Sequence, residues 1–384
     1  MTGVTYQGYT NTDWARTAAT TLADHIRDEE QAWMKNYQLG ALLEANGRIS
    51  YNHGGRGMTW PVRYRKHAME GNTGETPRNF ARKNLWKVAA LPNKRGYQAT
   101  DSISKGEMLE NRGEPAIIKL FDDFVERISE SMKQGVGPEF YIDGNATGNE
   151  QSWHGLESAF GATQTVTAGT AGAVARTANA ADFVGYPNDT YAELSTVLGN
   201  EGGEGDPVAT WPNGVNDPEF DFWSPLLVNY TCSGFSGAAD TWAAQGDEAL
   251  RFGIIHGQRN SLQDGQMTNV LLDRNLYFQL LNLIDNKEQI NVNRGEEWTL
   301  VRLGFKNVIG FDGIEVSWET GIPANVGYGL NYKNIELRCM EDTIFKSEGP
   351  FYDEHTQNYN AVVYTLSNIK LNSPRNFVKY LTLA

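Results

Sequence analysis

The stretch from Glu114 to Gln134, EPAIIKLFDDFVERISESMKQ, sets the tightest limit on what this chain can become. Its apolar residues Ile117, Leu120, Phe121, Phe124, Val125, Ile128 and Met132 follow the i, i+3, i+4, i+7 rhythm of a helix with one buried stripe. Pro115 suits a first helical position, where its missing N–H has no partner to lose. Gly135, Gly137 and Pro138 stop the run. At ~1.5 Å per residue the helix spans roughly 30 Å, the width of a domain. Its outer face is mostly acidic, with Asp122, Asp123, Glu126 and Glu130 against Lys119, Arg127 and Lys133. Such a helix needs a second layer to cover its stripe.

The 384 residues leave room for two or three modules, and 40% hydrophobic with 21% charged residues describes a folded chain. A net charge of −14 argues against general nucleic-acid binding, because phosphate contacts need a basic face. The charge is unevenly spread. Between Arg56 and Lys105, eleven Lys and Arg meet only Glu70, Glu75 and Asp101, a local +8 that leaves −22 elsewhere. A basic segment in an acidic chain points to self-association. Cys232 and Cys339 are too few for a disulfide framework and suit a reducing cytoplasm at synthesis. No apolar run approaches the ~20 residues of a membrane span, and no signal-peptide core opens the chain, so a soluble protein is expected.

Taken in order, Asn11 to Ala45 opens with Thr12 or Asp13 as N-cap and carries helical periodicity through Trp33, Leu39 and Leu42. Asp28, Glu29 and Glu30 interrupt it, so one or two helices on an arm are expected. TWPVRYRKHAM and ARKNLWKVAAL read as two strands of a hairpin, joined by the turn-rich tip EGNTGETPRN. A lone hairpin is marginal in water, so this one must lie on another surface. After the long helix, EFYI reads as a strand, followed by a turn and a short apolar piece. The region from Gln164 to Gln245 is rich in Gly, Ala, Thr and Asp, with a buried strand expected at Leu226, Leu227 and Val228. Gly246 to Asn260 reads as helix, Thr268 to Asp273 as strand, and Arg274 to Lys287 as amphipathic helix. From Trp298 onward TLVRLGF, NVIGFDGIEVSWE, NIELRCM, AVVYTLSNIKL and NFVKYLTL read as strands.

Motifs that carry chemistry are sparse. The six histidines form no ligand spacing, and solvated or packing roles are expected for them. Asp143 to Gly148 resembles the start of a calcium loop, but its twelfth position is His154 where a bidentate Glu belongs, so a tight turn is expected. Gly203 and Gly205 lack the third glycine of a dinucleotide fingerprint, and Ser236 lacks a nucleophile's context. Asp217, Glu219 and Asp221 among Trp211, Trp223 and Trp242 form the best enzymatic constellation, carboxylates beside aromatic platforms as in a glycosidase or lectin. The alternative is an acidic loop over tryptophans that pack a core. No cofactor, metal or catalytic residue is expected.

The ordered series of pieces resembles the major capsid proteins of tailed bacteriophages, the Hong Kong 97-type fold shared with encapsulins. PVRYRK to ATDSISKG is similar to that family's extended loop, EPAIIKLFDDFVERISESM to its spine helix, and IDGNATGNEQSWHGLESAF to its post-spine turn. TNVLLDRNLYFQLLNLID resembles the axial strand and helix, VIGFDGIEVSWE a glycine-bracketed hairpin, and the stretch from Met340 to Leu383 the peripheral hairpin and last axial strand. The resemblance implies an α+β chain with an N-terminal arm (1–57), an extended β-hairpin loop (58–108) and a peripheral domain with the spine helix (109–160). An axial domain follows (161–340, with an inserted subdomain around 165–245), then a returning peripheral hairpin (341–371) and a final axial strand (372–384). It implies a structural protein rather than an enzyme, assembling as hexamers and pentamers into an icosahedral shell around double-stranded DNA. Its partners would be copies of itself, portal, scaffold and decoration proteins, and DNA without sequence specificity, in the virion and, during assembly, the host cytoplasm. Inter-subunit contacts are expected at Arg63, Arg65, Lys66, Arg78, Arg82, Lys83 and Lys87 on the hairpin and at Asp122, Asp123, Glu126 and Glu130 on the long helix. An encapsulin shell around a cargo enzyme is the alternative within the fold. The lysine–asparagine crosslink of some relatives is not implied, since no Glu follows Asn358 or Asn360.

Overall fold

Runs such as Leu226–Val228 and Val270–Leu272 leave no polar side for water, which suits strands covered on both faces. A computed structural model of the chain describes residues 37–63, 74, 86–92, 95–106, 126–161, 184–185, 187, 189–196, 223–258, 265–286, 299–303, 305 and 307–382. It places both runs in a seven-stranded sheet. The order is Val308–Phe311, Ile314–Trp318, Asn269–Leu272, Gly327–Leu330, Val378–Leu381, Leu226–Asn229, Val184–Gly185. Two neighbour pairs are parallel, Ile314–Trp318 with Asn269–Leu272 and Val378–Leu381 with Leu226–Asn229. Alternation sends Leu226, Val228, Val270, Leu272, Val378 and Tyr380 to one face, against the helices Trp242–Gly257 and Arg274–Asn286. Leu227, Leu271, Tyr328 and Leu381 face the other, larger core. The first helix can approach this closely because Gly253 has no side chain; a Cβ there would strike the Tyr380 ring.

The second sheet is built on the long strand Asn358–Leu371. Gly96–Ser104 and Lys346–Asp353 pair antiparallel along its first part, Ile335–Cys339 pairs with Ser367–Leu371, and Ile49–Ser50 adds to Ile335–Cys339 in parallel. The chain leaves this sheet through the 3-10 turn Pro374–Asn376 and enters the seven-stranded one as Val378–Leu381. Leu39 and Leu43 of the helix Gln38–Ala45 join this larger core, with Ile128, Met132 and Val136 of a helix over 126–136. Of the Glu114–Gln134 stripe, Ile128 and Met132 lie within the described residues, and both are buried. The Tyr37 hydroxyl donates to the carbonyl of Gln134 at 2.9 Å, and its ring packs on Gly137, where a Cβ would collide with it.

Two expectations are corrected. EFYI is not a strand: Pro138–Tyr141 is a 3-10 helix. Pro138 favours a helical start, and the turn buries Phe140 and Tyr141 together, where a strand would send them to opposite faces. TLVR is a single helical turn, Thr299–Arg302, that docks Leu300 beside Leu42 and Val308. The remaining strands from Val308 onward form as expected, as do the strand Leu226–Asn229 and the helix Arg274–Asn286. The first 36 residues, with Trp14 and Trp33, lie outside the described residues.

Two buried polar joints tie these layers together. Lys379, 3% exposed in the last strand, reaches Glu157 at 2.6 Å, and the Tyr328 hydroxyl donates to the same carboxylate. Glu319, also 3% exposed, follows the strand Ile314–Trp318 and accepts from the Tyr141 hydroxyl at 2.6 Å and from the backbone N–H of Leu39 at 3.3 Å. Gln38 Nε2 donates to the Trp318 carbonyl at 2.9 Å, so the strand end grips the first turn of the Gln38–Ala45 helix. Burial pushes the Glu319 carboxyl up to about 8, although the bonds from Tyr141 and the helix backbone favour its charged form.

Replacing Lys379 with Met strands the Glu157 carboxylate in an apolar site, and a loss of about 3 kcal/mol is expected in urea unfolding. The double variant Lys379→Met, Glu157→Gln should recover more than half of it. Glu319 carries a pH signature. Its ordinary value is 4.5 and its folded value about 8, so its contribution is fully present below about pH 4.5 and is lost as pH rises through 8. Glu319→Gln cannot ionise. The melting temperature of the wild type should therefore fall relative to that of the variant across this window, and parallel pH curves would refute the assignment.

Candidate subunit interface

Hairpin register decides which residues look outward. Met58–Arg63 pairs with Trp86–Leu91 so that Trp60 faces Ala89, Pro61 faces Val88, and Arg63 faces Trp86. Directly opposed residues share a face. The face with Trp60, Ala89 and Leu91 is buried in the larger core, where the Lys370 ammonium sits 4.9 Å above the Trp60 ring. The other face presents Pro61, Arg63, Trp86 and Val88 to solvent, with Trp86 53% and Val88 62% exposed. Pro61, Trp86 and Val88 form an exposed apolar stripe beside Arg63. The exposed apolar pair is thus Trp86 and Val88, not Trp60 or Val62. Only the register separates the two sets, because a shift of one residue exchanges the faces.

Of the eleven charged residues expected at inter-subunit contacts, four lie within the described residues. Arg63 is exposed beside Trp86, and Lys87 is half-buried on the neighbouring strand. On the helix over 126–136, Glu126 is exposed, and Glu130 accepts from the Gln134 side-chain amide at 2.9 Å. Arg65, Lys66, Arg78, Arg82, Lys83, Asp122 and Asp123 lie outside the described residues.

The other chemical candidates resolve into packing. Trp223 and Trp242 are buried, and their indole N–H groups donate to the carbonyls of Tyr191 at 3.2 Å and Leu276 at 2.8 Å. They are core residues rather than sugar platforms; Trp211, Asp217, Glu219 and Asp221 lie outside the described residues. In the stretch resembling a calcium loop, the Arg95 guanidinium takes the carbonyls of Gly144, Asn149 and Ser152 at 2.6, 3.0 and 2.7 Å. Sequence reasoning missed this role, because Arg95 reads there as one more cation of a basic segment. His154 is buried, its backbone N–H on the Asn368 side chain at 2.9 Å, and burial lowers its imidazole to about 4. Ser236 bonds the Glu248 carboxylate. Among the described residues no group of His, Cys, Asp or Glu could hold a metal ion, and no helix is long and apolar enough to cross a membrane.

No protein-family model and no characterised protein sequence matches the chain. Solved structures do. The capsid asymmetric unit of cyanophage A-1(L) is similar at a TM-score of 0.54 and 14% identity, over 94% of this chain and 96% of that one. The capsid of a native GTA particle is similar at 0.51 and 10% identity, over 94% of each chain. At these identities the likeness is one of fold, and it extends along almost the whole of each chain. The chain thus shares the mixed α/β fold of these capsid structures.

Proposed function

We propose that the chain is the major capsid (head) protein of a tailed double-stranded DNA phage, assembling as hexamers and pentamers into an icosahedral shell around the genome. The observation that carries this reading is a capsid fold matched over 94% of the chain, not over one module. The similar structures described above are capsids of a phage and of a GTA particle, which favours this over an encapsulin shell. In this reading residues 1–57 form the arm, 58–108 the extended loop, 109–160 the peripheral domain with its spine helix, and 161–340 the axial domain with the insertion around 165–245. Residues 341–371 return to the peripheral domain, and 372–384 supply the last axial strand. The protein works through surface complementarity and not catalysis. Copies of itself are its main partners, with portal, scaffold and decoration proteins, and DNA held without sequence specificity. It resides in the virion and passes through the host cytoplasm during assembly.

Affinity and selectivity come from different residues of the hairpin. Burying an exposed Val or a larger side chain contributes roughly 1.5–3 kcal/mol, so Trp86 and Val88 supply the attraction. Each exposed ion pair adds only roughly 0–1 kcal/mol and is screened by salt. The basic row Arg63, Arg65, Lys66, Arg78, Arg82, Lys83 and Lys87 would instead select an acidic neighbour, such as Asp122, Asp123, Glu126 and Glu130 of another copy. A closed shell repeats each such contact many times.

Two variants separate these roles by negative-stain imaging of the purified chain. Trp86→Ser with Val88→Ser changes exposed positions, so the subunit should stay folded within about 0.5 kcal/mol while shells, tubes and capsomer rings disappear. Reversal of Arg63, Arg65 and Lys66 to Glu should block assembly at low salt, with partial rescue when Asp122, Asp123 and Glu126 become Lys. Normal shells from both variants would remove the hairpin from the interface, and a discrete monomer from the wild type under all conditions would overturn the capsid reading.

A further inference from the structure

At the root of the hairpin, the loop His53–Gly57 walls a small solvent-open cleft against the five-stranded sheet. Arg56, Arg95, Arg338 and His53 line it, and among the described residues no Asp or Glu does. In a chain of net charge −14, three guanidinium groups around one space without a lining carboxylate stand out. Arg338 engages Glu336 through Nε at 2.9 Å and Nη2 at 3.5 Å, an ion pair set back from the cleft lining. Arg95 commits Nη1 to the three loop carbonyls, yet its Nε is buried without an acceptor. The Nε2 of His53 is buried and unpartnered as well. The loop turns through Asn52 at φ 59° and Gly55 at φ 119°. The backbone N–H groups of Asn52 and His53 donate to the carbonyls of Glu341 and Cys339, both at 3.1 Å, which pins the loop beside the strand Ile335–Cys339.

The cleft therefore gathers three guanidinium groups, with Ser367 and Asn368 as neutral polar neighbours. Exposed donors can be satisfied by water, but buried ones carry a desolvation cost until an acceptor arrives. A neutral ligand would meet few of these groups. An oxyanion offers several lone pairs at once, and its charge-assisted bonds are roughly twice as strong as neutral ones. We propose that this cleft binds an oxyanion, a phosphate or carboxylate group, which joins the hairpin root at His53 and Arg56 to Arg95 and to Arg338 of the sheet. The hairpin leaves the body between these attachment points, since Met58 begins its first strand and Arg95 follows its second. A bound anion would fix the angle of departure. The inference stands on the cleft and does not need the capsid reading.

The test is calorimetric titration of the full chain at low ionic strength with inorganic phosphate and, separately, with glutarate. One site per chain with Kd below about 1 mM is expected for at least one of them. The tighter of the two identifies the group as phosphate or as a carboxylate such as an acidic side chain provides. Arg56→Ala with His53→Gln should weaken binding by about tenfold or more while leaving the anion-free melting temperature unchanged. Should that double variant fold poorly, Arg56→Glu, a change at an exposed loop position, should lose binding in the same way. Hydrogen exchange over residues 52–58 should slow on addition of the binding anion. No heat with either anion at about 10 mM, or equal affinity in the folded variants, would overturn the proposal.

Discussion

One central strand holds the seven-stranded sheet together. Val378–Leu381 lies between Gly327–Leu330 and Leu226–Asn229, with all four of its residues buried. Among the described strands it alone joins Leu226–Asn229 and Val184–Gly185 to the other four of that sheet. Its flanks are fixed too, since Leu226 N–H donates to the Phe377 carbonyl at 3.0 Å and Tyr230 N–H to the Leu381 carbonyl at 3.2 Å. Without it the sheet would divide, exposing two rows of backbone donors and acceptors and the apolar faces beside them. Its partner strands precede it by some 50 and 150 residues, so the loop-closure cost falls before the packing gain.

Polar groups in the interior sit at the joints between distant segments. Glu319 meets Leu39 across 280 positions, His154 meets Asn368 across 214, and Lys379 meets Glu157 across 222. Apolar surfaces alone tolerate sliding, whereas a buried donor or acceptor is costly in every arrangement but the one that satisfies it. These joints specify which segments meet. The apolar stripes and the sheet faces supply most of the stabilisation. Arg95 shows the same division of labour: its guanidinium closes a turn by taking the carbonyls of Gly144, Asn149 and Ser152.

What the sequence made legible is what periodicity controls. Ile128 and Met132 sit on one helical face, and Leu226–Val228 and Val270–Leu272 are unbroken apolar runs because both faces of their sheet are covered. Short elements escaped for a physical reason. One helical turn at Thr299–Arg302 or Pro138–Tyr141 is shorter than any period that could announce it, and tertiary docking of Leu300, Phe140 and Tyr141 decides the matter. Burial of aromatics was equally hidden. Trp223 and Trp242 stand in an acidic, glycine-rich stretch that suggests a binding loop, yet both point into cores. The hairpin face was lost to register, a quantity that composition does not encode.

The hairpin itself shows how one ribbon can be held by its own chain and still await another. Its inner face is anchored through Trp60, Ala89 and Leu91, which offsets the marginal stability of two strands alone. Its outer face keeps Trp86 and Val88 in water, an arrangement that invites two hairpins to stack on each other. Arg63 shares that face, directly opposite Trp86, and like charges brought together there would oppose such stacking. Pro61, opposite Val88, withholds a backbone N–H from any strand that approached its edge. The same residues leave the apolar pair open to a surface that is acidic and not an extended strand. In the proposed assembly, apolar area would provide the attraction while charge and proline would exclude the wrong partner.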